Sequence, residues 1–137
     1  MSYALRLKTA MDISRDAERR IRNTTGLKIS LIVSEHEEKT PEELINLVGS
    51  TLKLEKGFHR NRIRRTDLVE GRHISALLLQ RYFPVLSFTA IGRLFGQDHA
   101  TIIDAVKRSK NLLEIRDLQF TQKYITAQNA IEQWIND

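Results

Sequence analysis

The sequence predicts an all-α fold, a multi-helix domain with no sheet. Three observations carry this prediction. Apolar residues recur at helical spacing in six stretches of the chain. Most of these stretches are bounded by residues that start or stop helices. Only residues 27–33 (LKISLIV) have the β-branched apolar character of a strand, and no second convincing strand is present to pair with them.

Taken in order, residues 3–22 place Leu7, Ala10, Met11, Ala17 and Ile21 roughly on one stripe, and Asn23-Thr24-Thr25-Gly26 supplies a stop. Residues 27–33 then read either as a short strand, paired between two copies of the protein, or as the return arm of a helical hairpin. Thr40-Pro41-Glu42-Glu43 is a helix start: Thr40 caps, Pro41 fills the first turn, and Glu43 completes a capping box. Leu44, Leu47, Val48 and Leu52 form the inner face of a helix expected to reach about residue 54 and to end at Gly57. The stretch 58–68 has no clean period and reads as a loop with a short turn. Residues 69–83 are apolar nearly all round, with Arg72, His73 and Gln80 confined to one wedge, so this helix belongs at the centre of the core; Pro84 ends it. Ser87 caps a short helix to Phe95, with Ile91, Leu94 and Phe95 inward, and Gly96-Gln97 makes a tight turn. Asp98 caps a longer helix to about residue 114, buried along Ile102, Ala105, Val106, Ser109, Leu112 and Leu113. A final helix over 117–135 offers Leu118, Tyr124, Ile125, Ala127, Ile131 and Trp134 for packing. The predicted domain is 40–137, preceded by a helical appendage, 1–39, suited to dimerisation or to docking a partner.

Length and composition bound the function. With 137 residues, 41% of them hydrophobic, the chain can bury a core without staples. It has no cysteine, and its four histidines have no zinc spacing, so no metal, no cofactor and no disulfide are expected. The opening residues are interrupted by charges every few positions, unlike a signal peptide, and no run is long enough to span a membrane. The expected setting is a reducing cytoplasm. No P-loop and no nucleophile–base constellation is present, so no catalytic residue is assigned. The net charge of +5 is modest but segregated. Residues 35–43 hold five Glu and one Lys, whereas residues 57–72 hold five Arg against Asp67 and Glu70. His36 and His59 read as surface residues.

Residues 87–113 carry the candidate chemistry. A short helix, a Gly-containing turn and a longer helix with a polar first turn make a helix-turn-helix. The major groove of duplex DNA accepts such a second helix, whose first turn meets the base edges. Here that tip is Asp98-His99-Ala100-Thr101. His99 can donate to a purine N7 or O6, Thr101 can hydrogen-bond a base edge, and Ala100 offers an apolar contact. The first helix can aim its N-terminal N–H groups at phosphate.

Residues 86–106, LSFTAIGRLFGQDHATIIDAV, resemble the signature of the C-terminal DNA-binding domain of the DnaA family, the bacterial chromosomal replication initiators. The likeness runs from about residue 40 to 115 and includes the Thr40-capped helix, the arginines at 60–65 and the central helix in the same order. It implies a Trp-repressor-like, initiator-C-terminal-domain-like fold that binds double-stranded DNA, here without the family's ATPase domain. By this resemblance Arg64 enters the minor groove, with Arg65 as its close substitute. Arg72 reads a guanine in the major groove, and His73 stands where the family often has Gln. His99 and Thr101 contact bases, Asp98 caps, and Ser87, Phe88 and Thr89 begin the helix that meets phosphate. Arg62 and Lys107 join the set as cations available to phosphate.

The chain also departs from the family pattern. Ala100 replaces a Thr, Gln97 replaces a common Arg, one Gly of the turn is missing, a residue is inserted near Pro84, and Asp67 and Glu70 bring negative charge to a basic loop. A shifted or weakened preference for the standard initiator site follows. The expectation is a sequence-specific duplex-binding regulator of replication or transcription; the alternative is a helical protein–protein interaction module that keeps the scaffold.

Overall fold

A computed structural model describes residues 2–33 and 39–137. His36 and the acidic residues 35, 37 and 38 lie outside the described residues. The described residues form six α-helices and no strand: α1 (Tyr3–Thr25), α2 (Pro41–Thr51), α3 (Thr66–Tyr82), α4 (Phe88–Phe95), α5 (His99–Glu114) and α6 (Leu118–Ile135). They divide into two units, with the boundary between residues 38 and 39.

The first unit is built on α1. Ser2 caps it by accepting from the Leu5 N–H at 3.2 Å, and Gly26 closes it in the left-handed conformation, donating to Arg22 O at 2.9 Å. No residue of α1 is buried. Residues 27–33 take up neither a strand nor a helical arm. Gly26 stops the helix, β-branched side chains do not restart one, and a lone strand has no edge to join. The segment is tied to α1 where Glu18 Oε1 accepts from the Leu31 N–H at 3.0 Å.

The second unit has α3 at its centre, packed against α2, α5 and α6, with α4 laid on α5. Leu68, Ile74, Ala76, Leu77, Leu78 and Leu79 of α3 are all buried, as expected of a helix apolar on most sides. Thr40 Oγ1 accepts from the Glu43 N–H at 3.2 Å and starts α2, which ends at Thr51, earlier than its apolar pattern suggested. The chain reverses at Lys53, whose φ is 59°. Gly57 does not terminate α2; with a φ of 80° it opens a short 3-10 turn, Phe58–Arg60. Phe58 is buried there, its ring lying against Gly49 of α2 and Gly71 of α3. Helix α3 begins at Thr66, three residues before the pattern-based start, with Asp67 favourably placed at its positive end. On α6 the buried stripe is Phe120, Tyr124, Ala127 and Ile131, a single helical face. Leu118 (74% exposed) and Ile125 (48% exposed) fall off that face and do not pack as expected. Lys39 holds the end of α6, donating to Trp134 O with its ammonium 5.6 Å from the indole centroid.

Candidate nucleic-acid interface

The turn between α4 and α5 is fixed by local chemistry. Ser87 Oγ accepts from the Ala90 N–H at 3.1 Å and starts α4. Gly96 ends it at a φ of 67°, a conformation costly for any side chain with a β-carbon. The chain then doubles back so closely that a β-carbon on Gly92 would overlap the Gln97 carbonyl oxygen and sit 3.3 Å from the Asp98 carbonyl carbon. The Gln97 N–H donates to Gly92 O at 2.8 Å. Asp98 Oδ1 accepts both the Thr101 N–H (2.9 Å) and the Thr101 hydroxyl (2.7 Å), which starts α5. Those two bonds, the hydroxyl first, hold the Asp98 carboxyl below its ordinary value. Beneath the turn, Ile91, Phe95, Ile102, Ala105 and Val106 are buried and fasten α4 and α5 together.

The result is a helix tip directed away from the core. Asp98, His99, Ala100 and Thr101 are all exposed, and Gln97 is half-buried. The Thr101 hydroxyl, expected to face a base, gives its hydrogen to Asp98, leaving the oxygen's lone pairs for any outside donor. Ser87 and Thr89 are exposed at the start of α4, Phe88 is half-buried, and Lys107 is exposed on α5. Among the described residues, the Phe88 and Thr89 N–H groups have no internal acceptor.

The Arg-rich loop behaves differently. Arg60 reaches back to Arg93 O at 3.4 Å, and Arg62 donates to Gly96 O, so both meet carbonyls at the C-terminal end of α4. Arg65 is held by Asp67 at 2.7 Å and by Glu55, and these bonds raise its pKa above the ordinary guanidinium value. Arg72 donates to Asn61 O and Ile63 O (3.4 Å for the latter). Burial, then the charge of Arg62, pushes the Arg72 pKa below its ordinary value. Glu70 is paired with Lys123 at 3.2 Å. The two acidic residues of the basic segment are thus both neutralised internally. Arg64 alone among the loop arginines is exposed with no hydrogen-bond or ion-pair partner among the described residues.

Arg64 lines a groove of about 310 Å³ between α3 and the start of α5, together with Arg72, His73, Gln97, Thr101 and Arg108. Five of the sequence-derived site residues meet there; Arg62 and Arg65 are tied to protein groups, and Asp98, His99 and Ala100 form the exposed tip beside the groove. His73 is half-buried, and burial first, then Arg108 and Arg72, lowers its pKa. Its backbone oxygen accepts from the buried Ser109 hydroxyl at 3.1 Å, linking α3 to α5. Arg108 was not among the expected site residues. Its signal was visible, since it lies seven residues after Thr101, two turns along the same face. It is paired with Asp104 at 2.8 Å.

His59 is not the surface residue its sequence context suggested. It is half-buried edge-on between Phe58 and Phe95, at 5.7 and 6.0 Å between ring centroids, and its Nδ1 is enclosed without a partner. Burial, and then Arg60, lowers its pKa.

Among the described residues there is no cluster of three side chains able to hold a metal ion, and no helix long and apolar enough to cross a membrane. An all-helical domain in which a capped helix projects its tip beyond a glycine turn is of the helix-turn-helix class. Residues 41–108 of the 137 match the family model described as the bacterial dnaA protein helix-turn-helix, and through this region the chain belongs to that family. The family's helix-turn-helix is a DNA-binding domain rather than a catalytic one, which suggests DNA as the partner of this chain. No curated protein matches the chain.

Proposed function

We propose that residues 39–137 bind double-stranded DNA sequence-specifically, as a regulator of replication or transcription. The observation that carries this reading is the pairing of an exposed α5 tip with Arg64, in the adjoining groove, the one loop arginine without a partner among the described residues. In this reading His99, Ala100 and Thr101 meet base edges in the major groove while Arg64 enters the neighbouring minor groove. The Phe88 and Thr89 N–H groups, with the Ser87 and Thr89 hydroxyls, take a phosphate at the positive end of α4. Lys107 and Gln97 add contacts to the sugar–phosphate rails. Residues 2–33 serve association: a 23-residue helix with nothing buried, followed by Leu27, Ile29, Leu31, Ile32 and Val33 all exposed, supports contact with a second copy or another protein.

Selection of duplexes from a random pool at stated salt, followed by sequencing, tests the reading. Enrichment of one motif is the expected result, and affinity for it should fall with salt at a log–log slope of about −0.9 per neutralised phosphate. A pool that emerges without a motif removes sequence-specific reading and leaves an interaction module.

A further inference from the structure

Arg72 lies on α3, behind the loop. It is half-buried, and its guanidinium addresses the protein's own backbone, namely the carbonyl oxygens of Asn61 and Ile63. These two residues bracket Arg62, whose own guanidinium donates to Gly96 O in the turn before α5. Asn61 Oδ1 accepts from the Ile63 N–H at 2.9 Å, stiffening the same three residues from within. The segment 61–65 is neither helix nor strand, so no backbone ladder holds it. The next side chain along is Arg64.

We propose that Arg72 is a positioning residue: it clamps the 61–63 backbone so that Arg64 projects into the groove beside the α5 tip, and Arg62 fastens that clamped segment to the turn. The loop and the tip then move as one piece, and their contacts to the two grooves keep a fixed register. A guanidinium suits the task because it is a planar fork with five donors, able to satisfy two carbonyls at once; an ammonium is a point charge on a flexible stem. Partial burial fits an internal partner too, since a side chain that reads a base must reach past the protein surface. This inference rests on the duplex-binding reading for its consequence, but the clamp itself is a property of the free protein.

The test has two arms, both on the full chain, with Arg72→Lys, Arg72→Ala and Arg62→Gln, each checked for an intact thermal transition. In the free protein, ¹⁵N relaxation reports backbone order at 61–65. Order should drop in all three variants while α5 keeps the parent's values, with Arg72→Lys the mildest. Unchanged order at 61–65 overturns the clamp whatever happens with DNA.

In the second arm the selected duplex carries single modified bases. Diaminopurine in place of adenine adds an amino group in the minor groove and leaves the major-groove face alone; 7-deazaguanine removes the major-groove N7. The parent should discriminate against diaminopurine at the loop-facing A·T steps by about tenfold, on the order of one good contact. Arg72→Ala should lose most of that while keeping the parent's response to 7-deazaguanine at every guanine. The opposite pattern, with the diaminopurine response kept and one 7-deazaguanine response lost, makes Arg72 a direct guanine reader and overturns the proposal. If no motif is enriched yet order still drops at 61–65, the duplex-binding reading fails and the clamp stands.

Discussion

At the tip of α5, four consecutive residues, 98–101, are exposed, and among the described residues their side-chain bonds are those between Asp98 and Thr101. In the loop, Arg60, Arg62 and Arg65 each bond back to the protein, and Arg72 bonds the loop from behind. The tip owes its order to its own helix cap; the loop owes its order to side chains that looked, by formal charge, like DNA ligands. The difference teaches that a basic segment is an upper bound on the charge a polyanion meets. A guanidinium donating to a carbonyl keeps its charge but not its freedom, and one set between two carboxylates has its field cancelled locally.

The most damaging way to break the comparison is to remove what the two regions share. Phe95 is buried beneath the turn, lines the groove and meets His59 edge-on. Phe95→Ala should cost about 3–5 kcal/mol in urea unfolding, and tip and loop should lose order together in hydrogen exchange. Loss at one region with protection kept at the other would mean that they are not braced by a common core.

A second experiment asks whether the partnered and unpartnered arginines differ as their bonding indicates. Arg64→Ala should weaken binding to the selected duplex by about 1–3 kcal/mol. Arg65→Ala, which removes a cation already balanced by Asp67 and Glu55, should change the affinity far less. Equal losses in a side-by-side titration would erase the distinction.

The smallest effect concerns pH. His59 and His73 have pKa values lowered by burial, so below the ordinary value of 6.5 the unfolded chain takes up more protons than the folded one. Stability is therefore full above that value and declines as pH falls through it. Asp98 also has a lowered pKa, but as a carboxyl its contribution is full above 3.8 and is lost only as pH drops further, through the folded value. Melting temperatures should fall modestly from pH 7.5 to 5, and His59→Gln should flatten that limb. A slope untouched by His59→Gln would show that His59 takes no part in this titration.

What was legible in the sequence follows from how far each interaction reaches. The caps at Thr40, Ser87 and Asp98 bond backbone N–H groups three residues on, so their residue types announce them. The all-round apolar pattern of α3 placed it centrally for the same local reason. The partners of the loop arginines were not legible, because Arg93 O and Gly96 O lie more than thirty residues away and are backbone atoms, which no side-chain pattern marks. Asp67 was visible as a negative charge in a basic stretch, but its pairing with Arg65 depends on loop geometry. Phe58 escaped notice because its neighbours have no period, and its pocket is made by the absence of side chains at Gly49 and Gly71. The apolar pattern points to Leu118 and Ile125 and passes over Phe120, because apolarity alone does not fix the phase of a helix with apolar residues on several sides. Residues 27–33 left two options open and took neither.

Ala100 stands at the outermost turn of α5 with its methyl group in the open. Alanine's lead in helix propensity over most other residues is at most about 0.7 kcal/mol. Exchanging it for a longer polar residue therefore leaves the scaffold intact and changes only what the tip can touch. Under the proposed function, position 100 is thus an adjustable point where one codon can redirect preference while every buried residue stays in place.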